Sequence, residues 1–359
     1  MIRRILMTGD TVGGVWTYTM ELAEALGAHG IHVVLAALGG APSDGQRKEA
    51  ARIPNLELLA SDFKLEWMDD PWRDVAESGN WLLDLEEQYA PDLVHLNSFG
   101  HGALDWQTPV VVTAHSCVLS WWRAVKGCEA QEYWDRYRAA VMQSLSAADL
   151  VTAPSRAMAD AVAAHYAIDG CRVISNGRSA SRFRRAVKEP FVFTAGRLWD
   201  DAKNVSAVAK VAPRVTWPVY CAGDAGRRPN TTGATMLGHL APDALADWYS
   251  RAAIYALPAR YEPFGLSALE AAHSGCALVL GDIPSLREIW GDAATFVAPG
   301  DTNTLADAIN QLIADPQQRE SMASAAWQHA LQYTPRRMAA AYLQAYESIT
   351  PERRQFCAL

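Results

Sequence analysis

An α/β protein with two doubly wound domains is what this sequence predicts. Three observations support that expectation: short apolar runs ending in small or polar residues, longer helical patterns between them, and a restart of the rhythm after a polar break near residues 178–190. A β-then-α alternation is the pattern of an open sheet covered on both faces. Strands buried on both faces appear as continuous apolar runs. At 359 residues the chain can hold two ordinary domains, each with its own core.

In order, RILMT (4–8), HVVLAAL (32–38), DLVHLNS (92–98), PVVVTAHS (109–116), DLVTAPS (149–155) and RVISNG (172–177) are expected to be buried parallel strands. Helices are expected over VWTYTMELAEALGAHG (15–30), NWLLDLEEQYA (80–90), YWDRYRAAVMQSLSAAD (133–149) and SRAMADAVAAHYA (155–167). The segment RSASRFRRAVKEP (178–190) is polar, basic and closed by a proline, and with Arg178, Arg182, Arg184, Arg185 and Lys188 it suits a solvated hinge. After it, FVFTAGR (191–197), PVYCAGD (218–224), AIYALPA (253–259), CALVLGD (276–282) and TFVAPGD (295–301) are strand candidates with helices between. TPRRMAAAYLQAYESI (334–349) suits an amphipathic helix with Pro335 in its first turn, where a proline is tolerated. The expected domains are 1–185 and 190–334. Ligands of open α/β sheets bind at the carboxyl ends of the strands, so two such domains are expected to face a central cleft.

Half of the residues are hydrophobic, a fifth are charged, and the formal net charge is −8. That balance argues against a chain dominated by nucleic-acid binding. The six cysteines (117, 128, 171, 221, 276 and 357) show no CxxC pairing, which fits a reducing compartment better than a disulfide framework or a zinc site. MIRRILMTGD has only a three-residue apolar run, so no signal peptide is expected, and no window reaches the roughly 18 apolar residues of a membrane span. A cytoplasmic protein is expected.

The first strand runs into GDTVGGVW, where Gly13 and Gly14 open a helix. Backbone N–H groups there can approach a phosphate or sugar closely, although such glycines also ease an ordinary strand-to-helix turn. The dinucleotide fingerprint GxGxxG is absent, and the second strand lacks the acidic residue that holds a ribose in NAD enzymes, which disfavours an oxidoreductase. In TAGRLWDDAKN (194–204), Arg197 follows a strand and Lys203 comes six residues later. Two cations so placed can neutralise a departing diphosphate without a metal, or simply be solvated charges.

PARYEPFGLSALEAAHSG (258–275) holds Glu262 before a Pro-Phe-Gly turn and Glu270 inside the helix that follows. Pro263 fixes the turn, Gly265 relieves it, and Leu266 and Ser267 begin the helix with N–H groups that suit a phosphate. A carboxylate accepts two hydrogen bonds and suits a vicinal diol. One of the pair can hold a sugar and the other a ribose, with the diphosphate between.

GRLWDDAKN followed by PARYEPFGLSALEAAHSG closely resembles the retaining, metal-independent glycosyltransferases of family 4, which have the GT-B fold of two Rossmann-like domains. Their hallmark Glu-x7-Glu element is matched by Glu262 and Glu270. The resemblance covers most of the chain, is strongest over 191–301, and takes in GGVW, TAHS and ISNG of the first half. It implies transfer of a sugar from a UDP- or GDP-sugar to a hydroxyl of a carbohydrate or glycolipid acceptor, in bacterial polysaccharide or glycolipid synthesis, with no cofactor and no metal. It implies an acceptor-binding first domain and a donor-binding second domain, with the last helix, about 335–359, returning to the first. Arg197 and Lys203 would hold the diphosphate as leaving group, Glu270 the ribose hydroxyls, and Glu262 the hydroxyls of the donor sugar. Gly265 and Leu266 would offer N–H groups nearby, with Ser267 beside them. His115, in VVVTAHS, matches the histidine by the sugar's reacting side, and Gly13 and Gly14 match the glycine loop near the phosphates and acceptor.

ISNGRS departs from the pattern: Arg178 stands where the family often has a small apolar residue followed by an acidic one. The first half also has tryptophan-rich segments of its own, KLEWMDDPWRDV (64–75) and SWWRAVKG (120–127). The second suits an acceptor wall that stacks sugar rings, core, or a membrane-interface patch supporting weak peripheral association, with the first two favoured. His95, His101, His239 and His273 have no metal-like spacing and are expected to be structural. A competing function from another class is a non-catalytic nucleotide-sugar sensor that keeps the pocket and has lost transfer.

Overall fold

The computed structural model describes residues 2–224 and 233–350. The chain divides into two compact units. One comprises Met1–Leu119, Ala130–Gly177 and Pro335–Leu359, and the other comprises Ser120–Glu129 and Arg178–Thr334. The tryptophan-rich segment 120–129 therefore packs with the second unit, although the chain reaches it from the first.

In the first unit, β1 (Arg4–Asp10), α1 (Gly14–Gly27), β2 (His32–Leu38), α2 (Asp44–Ala50), β3 (Leu56–Ala60), α3 (Trp72–Tyr89), β4 (Leu93–Leu96) and β5 (Val110–Thr113) follow in order. Next come α4 (Val118–Lys126), whose residues from Ser120 belong to the second unit, then α5 (Asp135–Ala147), β6 (Leu150–Ala153), α6 (Arg156–Tyr166) and β7 (Arg172–Val173). Among the described residues these strands form a seven-stranded sheet in the order β3-β2-β1-β4-β5-β6-β7. All its pairings are parallel, with Ile5 opposite both Val33 and Leu93. Residues Val33–Leu38 are wholly buried, which is why this run shows no polar alternation.

The second unit has β8 (Glu189–Ala195), α7 (Val205–Val211), β9 (Val219–Ala222), β10 (Thr235–Gly238), α8 (Pro242–Arg251), β11 (Ala252–Leu257) and α9 (Leu266–His273). It continues through β12 (Ala277–Gly281), α10 (Pro284–Trp290), β13 (Thr295–Val297), α11 (Thr302–Ala314) and α12 (Pro316–Ala330). Its described strands form a six-stranded parallel sheet, β10-β9-β8-β11-β12-β13. The final helix, α13 (Pro335–Glu347), packs against α1 in the first unit. Of the segment expected to be helical to 359, residues 351–359, including Cys357, lie outside the described residues.

Each sheet has one place where strand order reverses, between β1 and β4 in one and between β8 and β11 in the other. Such switch points leave a crevice at the carboxyl ends of the two strands. Side chains of Ser43, Ser155, Asp301 and Asp315 cap α2, α6, α11 and α12. The helices that follow β1 and β11, α1 and α9, begin at glycines, Gly13 and Gly265, and like α3, α5, α7, α8 and α10 have no side-chain cap among the described residues. Both glycines have positive φ, 95° and 92°, which a residue with a Cβ rarely adopts.

The expected solvated hinge needs correction. Arg178 is largely buried against Glu270, Arg184 bonds Asp247 at 2.6 Å, and Lys188 Nζ donates to the carbonyls of Ser250 and Ser274 at 2.9 and 2.7 Å. Arg178, Arg184 and Lys188 face carboxylates and buried backbone carbonyls of the second unit and fasten the segment to it, whereas Arg182 and Arg185 are exposed.

Candidate active site

At the switch point of the first unit, Asp10 Oδ1 accepts from Val12 N at 2.6 Å and stiffens the loop leading to Gly13 and Gly14. Both glycines are exposed, so the uncapped start of α1 is open at its surface. From the end of β4, Asn97 Nδ2 donates to the Thr8 carbonyl at 2.7 Å, which leaves Asn97 Oδ1 as an acceptor. His115 Nε2 lies 2.9 Å from that oxygen. The imidazole must therefore carry its proton on Nε2, and when neutral it presents Nδ1 as a lone pair. Burial pushes the His115 pKa down to about 3, so the ring is neutral at physiological pH. The Tyr18 ring packs edge-on against it at 4.4 Å.

His95 and His101 of this unit are framework. His95 lies inside the sheet with Nδ1 2.7 Å from Tyr346 Oη of α13 and Nε2 2.7 Å from Thr113 Oγ1. His101 bonds Ser78 Oγ at 2.8 Å. Burial lowers these pKa values to about 3 and about 4 respectively.

In the second unit the loops after β8 and β11 carry the remaining residues. Arg197 Nη2 donates to Asp200 Oδ2 at 2.8 Å, whereas its Nε is buried and has no acceptor among the described residues. Asp200 is a knot that the sequence did not single out. Its Oδ1 accepts from Ala202 N at 2.9 Å and from the Trp121 indole N–H at 3.2 Å. Burial pushes its pKa up, but the charges of Arg197 and Lys203 and the Ala202 N–H outweigh that and hold the carboxyl below its ordinary range. Trp199 lies 39 % exposed with the Arg197 guanidinium 5.4 Å from its ring centre, a cation–π arrangement that restrains the arginine.

Lys203 Nζ forms a salt bridge with Glu262 Oε2, and the other oxygen, Oε1, accepts from Gly265 N at 3.0 Å. Ser285 Oγ donates to the Glu262 carbonyl at 2.5 Å. Glu262 thus binds a cation and stitches the loop to the start of α9, so the Gly265 N–H is engaged by Glu262 itself. Leu266 and Ser267, both half-buried, form the first turn of α9. Glu270, one turn deeper, accepts from Arg178 Nε at 2.9 Å. Nearby Tyr249 and Tyr255 remain neutral phenols, their pKa values raised chiefly by burial. The Glu-x7-Glu pair is therefore two carboxylates, each held by a cation from elsewhere in the unit. Among the described residues no group of three or more His, Cys, Asp or Glu is placed to hold a metal ion, and no helix is long and apolar enough to cross a membrane.

Comparison with known proteins follows this geometry. Residues 12–182 match the family described as Glycosyltransferase Family 4, and residues 189–315 match Glycosyl transferases group 1. The chain is 28 % identical to a glycogen synthase of Mycobacterium tuberculosis over 363 aligned residues, 88 % of this chain and 86 % of that protein. Among solved structures, sucrose-phosphate synthase from Thermosynechococcus elongatus superposes with a TM-score of 0.79 at 19 % identity, covering 97 % of this chain and 99 % of the other. Anabaena HepE in complex with UDP-glucose gives 0.75 at 18 % identity, covering 96 % and 99 %. At those identities the structural likenesses speak for the fold.

Proposed function

Because this chain belongs to the GT-B glycosyltransferases of family 4, we propose that it moves a sugar from a UDP- or GDP-sugar to a hydroxyl of a carbohydrate or glycolipid acceptor with retention of anomeric configuration. Its setting would be bacterial polysaccharide or glycolipid synthesis in the cytoplasm. The observation that carries this proposal is the buried Arg197 Nε, which has no acceptor among the described residues, on a guanidinium tied through Asp200 to Lys203. An N–H withheld from water without an acceptor costs free energy that an anionic oxygen placed there would recover.

In this mechanism Arg197 and Lys203 take the diphosphate and stabilise the charge that develops as it leaves, a role that needs no metal. Glu270 accepts the ribose hydroxyls. Glu262, already oriented by Lys203 and Gly265 N, accepts hydroxyls of the donor sugar, and the start of α9 at Leu266 and Ser267 adds its positive end. Within the first unit, the uncapped start of α1 at Gly13 and Gly14 offers backbone N–H groups of its own to a phosphate or an acceptor. Neutral His115 offers Nδ1 as an acceptor to a sugar hydroxyl by the reacting carbon. The bond from the anomeric carbon to the phosphate oxygen breaks while the acceptor oxygen bonds that carbon on the same face. The acceptor's proton passes to the departing phosphate oxygen. Glu262 is a poor candidate for a covalent nucleophile, since both its oxygens are engaged, Oε2 by Lys203 and Oε1 by Gly265 N. The UDP-glucose held by HepE supports a UDP-sugar as the first donor to try.

Calorimetric titration with UDP, GDP and ADP in the presence of a chelator tests this. Binding of one nucleotide by the wild type and its loss in Arg197→Ala is the expected result, followed by NMR of the product showing a retained anomeric configuration. No binding of any of the three removes the proposed diphosphate site.

A further inference from the structure

We propose that Arg178 is the positioning residue for Glu270, orienting its carboxylate to grip the ribose hydroxyls of a nucleoside diphosphate; this rests on the donor-binding role proposed above. The juxtaposition is a buried ion pair between residues 92 positions apart, Arg178 Nε to Glu270 Oε1 at 2.9 Å, with side chains only 12 % and 11 % exposed.

Several features hold the arginine in place. Its backbone N–H donates to the Tyr333 carbonyl at 3.0 Å, and the preceding Gly177 N–H points to Met338 Sδ at 3.3 Å, so the chain is pinned on both sides of the Gly177–Arg178 peptide. The guanidinium lies 5.2 Å from the centre of the Phe183 ring, which in turn stacks on His273 of α9 at 6.2 Å with only 15° between planes. An arginine braced at both its backbone and its planar head presents one donor direction to Glu270 and loses little freedom in doing so.

Around Glu270 the Arg178 cation stands beside neutral side chains. The phenols of Tyr249 and Tyr255 are neutral, and the His273 pKa is pushed down to about 4, first by burial and then by the charge of Arg178. These three neighbours therefore supply no positive charge. A carboxylate shielded from water and deprived of its cation tends to take up a proton, and a protonated carboxyl accepts fewer hydroxyl donors. Arg178 is also the residue at which ISNGRS departs from the family pattern, so this brace belongs to this chain's own sequence.

The test is calorimetry of the full chain with UDP, GDP and ADP and with their 2′-deoxy forms. The wild type is expected to prefer a ribonucleotide to its 2′-deoxy form. Arg178→Ala is expected to lose affinity for that ribonucleotide on the order of tenfold or more, while binding the 2′-deoxy form as the wild type does. Arg178→Lys, which keeps the charge without the planar head, should recover part of the preference. Equal ribose preference in Arg178→Ala and wild type overturns the proposal and leaves the donor role standing. So does an equal loss for ribo and deoxy forms, which would make the arginine a general support. If the wild type binds no nucleotide, the donor role falls and the proposal with it. Should Arg178→Ala fail to fold, Arg178→Lys carries the test alone, and an undiminished ribose preference in it overturns the proposal.

Discussion

Lys203 and Glu262, 59 residues apart, form a salt bridge at the carboxyl end of the second sheet, and the same glutamate accepts from Gly265 N at the start of α9. One carboxylate therefore ties the loop after β8 to the loop after β11, the two strands that flank the switch point.

Breaking that tie from one side is expected to cost more than half of what removing both partners costs. Lys203→Met and Glu262→Gln should each lower unfolding free energy by about 1–3 kcal/mol, because each leaves a partly buried partner uncompensated. The double variant should cost less than the sum, with a coupling of about 1–2 kcal/mol. Urea unfolding of the four proteins measures it, and strict additivity would show the pair to be energetically independent.

Gly265→Ala should be costly for a different reason. At φ 92° a Cβ is strained, and it would lie 3.2 Å from Leu286 Cδ2 and 3.4 Å from Glu262 Cγ. A loss of about 1–2 kcal/mol is expected, with weakened nucleotide binding as Glu262 is displaced. Gly300→Ala serves as the control: it has no neighbour within 4 Å of its would-be Cβ and no positive φ, and should change stability by less than about 1 kcal/mol. Thermal melts with and without nucleotide separate the two effects.

Acid should destabilise the first unit through its buried histidines. His95 and His115 have folded pKa values near 3 against an ordinary value of 6.5. Between those limits the unfolded chain binds protons that the folded one refuses, so this contribution is complete above about pH 6.5 and is lost as pH falls toward 3. Each histidine adds a slope of up to about 1.4 kcal/mol per pH unit in that window. Stability measured from pH 7 to 4 should fall less steeply in His95→Gln than in the wild type. Equal slopes would remove His95 from the account.

Tyr346→Phe probes how α13 is fastened. Its hydroxyl lies 2.7 Å from His95 Nδ1 deep in the first unit. Losing it orphans a buried ring nitrogen, at a cost of about 1–3 kcal/mol with little effect on packing. Denaturant midpoints of the two proteins decide it, and a change below about 0.5 kcal/mol would mean that packing alone holds the helix.

The core strands were legible because parallel strands buried on both faces must be written as unbroken apolar runs, as in Val33–Leu38. The edges were not. LELLA of β3 and TMLG of β10 are half-exposed, and no long apolar run marks them. Helix α2, DGQRKEA, buries only Ala50, so it carries no apolar period. Helix α4 hid in SWWRAVKG, where tryptophans alone do not tell a core helix from a binding wall.

The candidate site was legible as residue types and spacings: glycines at helix starts, two cations after one strand, and two carboxylates with seven residues between them around a turn. Asp200 stayed invisible because its importance lies in joining Arg197, Trp121 and Ala202 N, and that cannot be inferred from any one of them. Arg178 looked like part of a solvated hinge for a similar reason.

By itself, then, the sequence determined the alternating architecture, the strand ends where chemistry collects, and the family, since periodicity and local turn chemistry act over a few residues. Only the tertiary structure decided the pairings: Lys203 with Glu262, Arg178 with Glu270, and His95 with Tyr346 across 251 positions. Charges so far apart in the chain meet only once the sheets have closed their registers. Water withdrawn from those meeting points is what turns a scatter of charged and polar side chains into fixed partners.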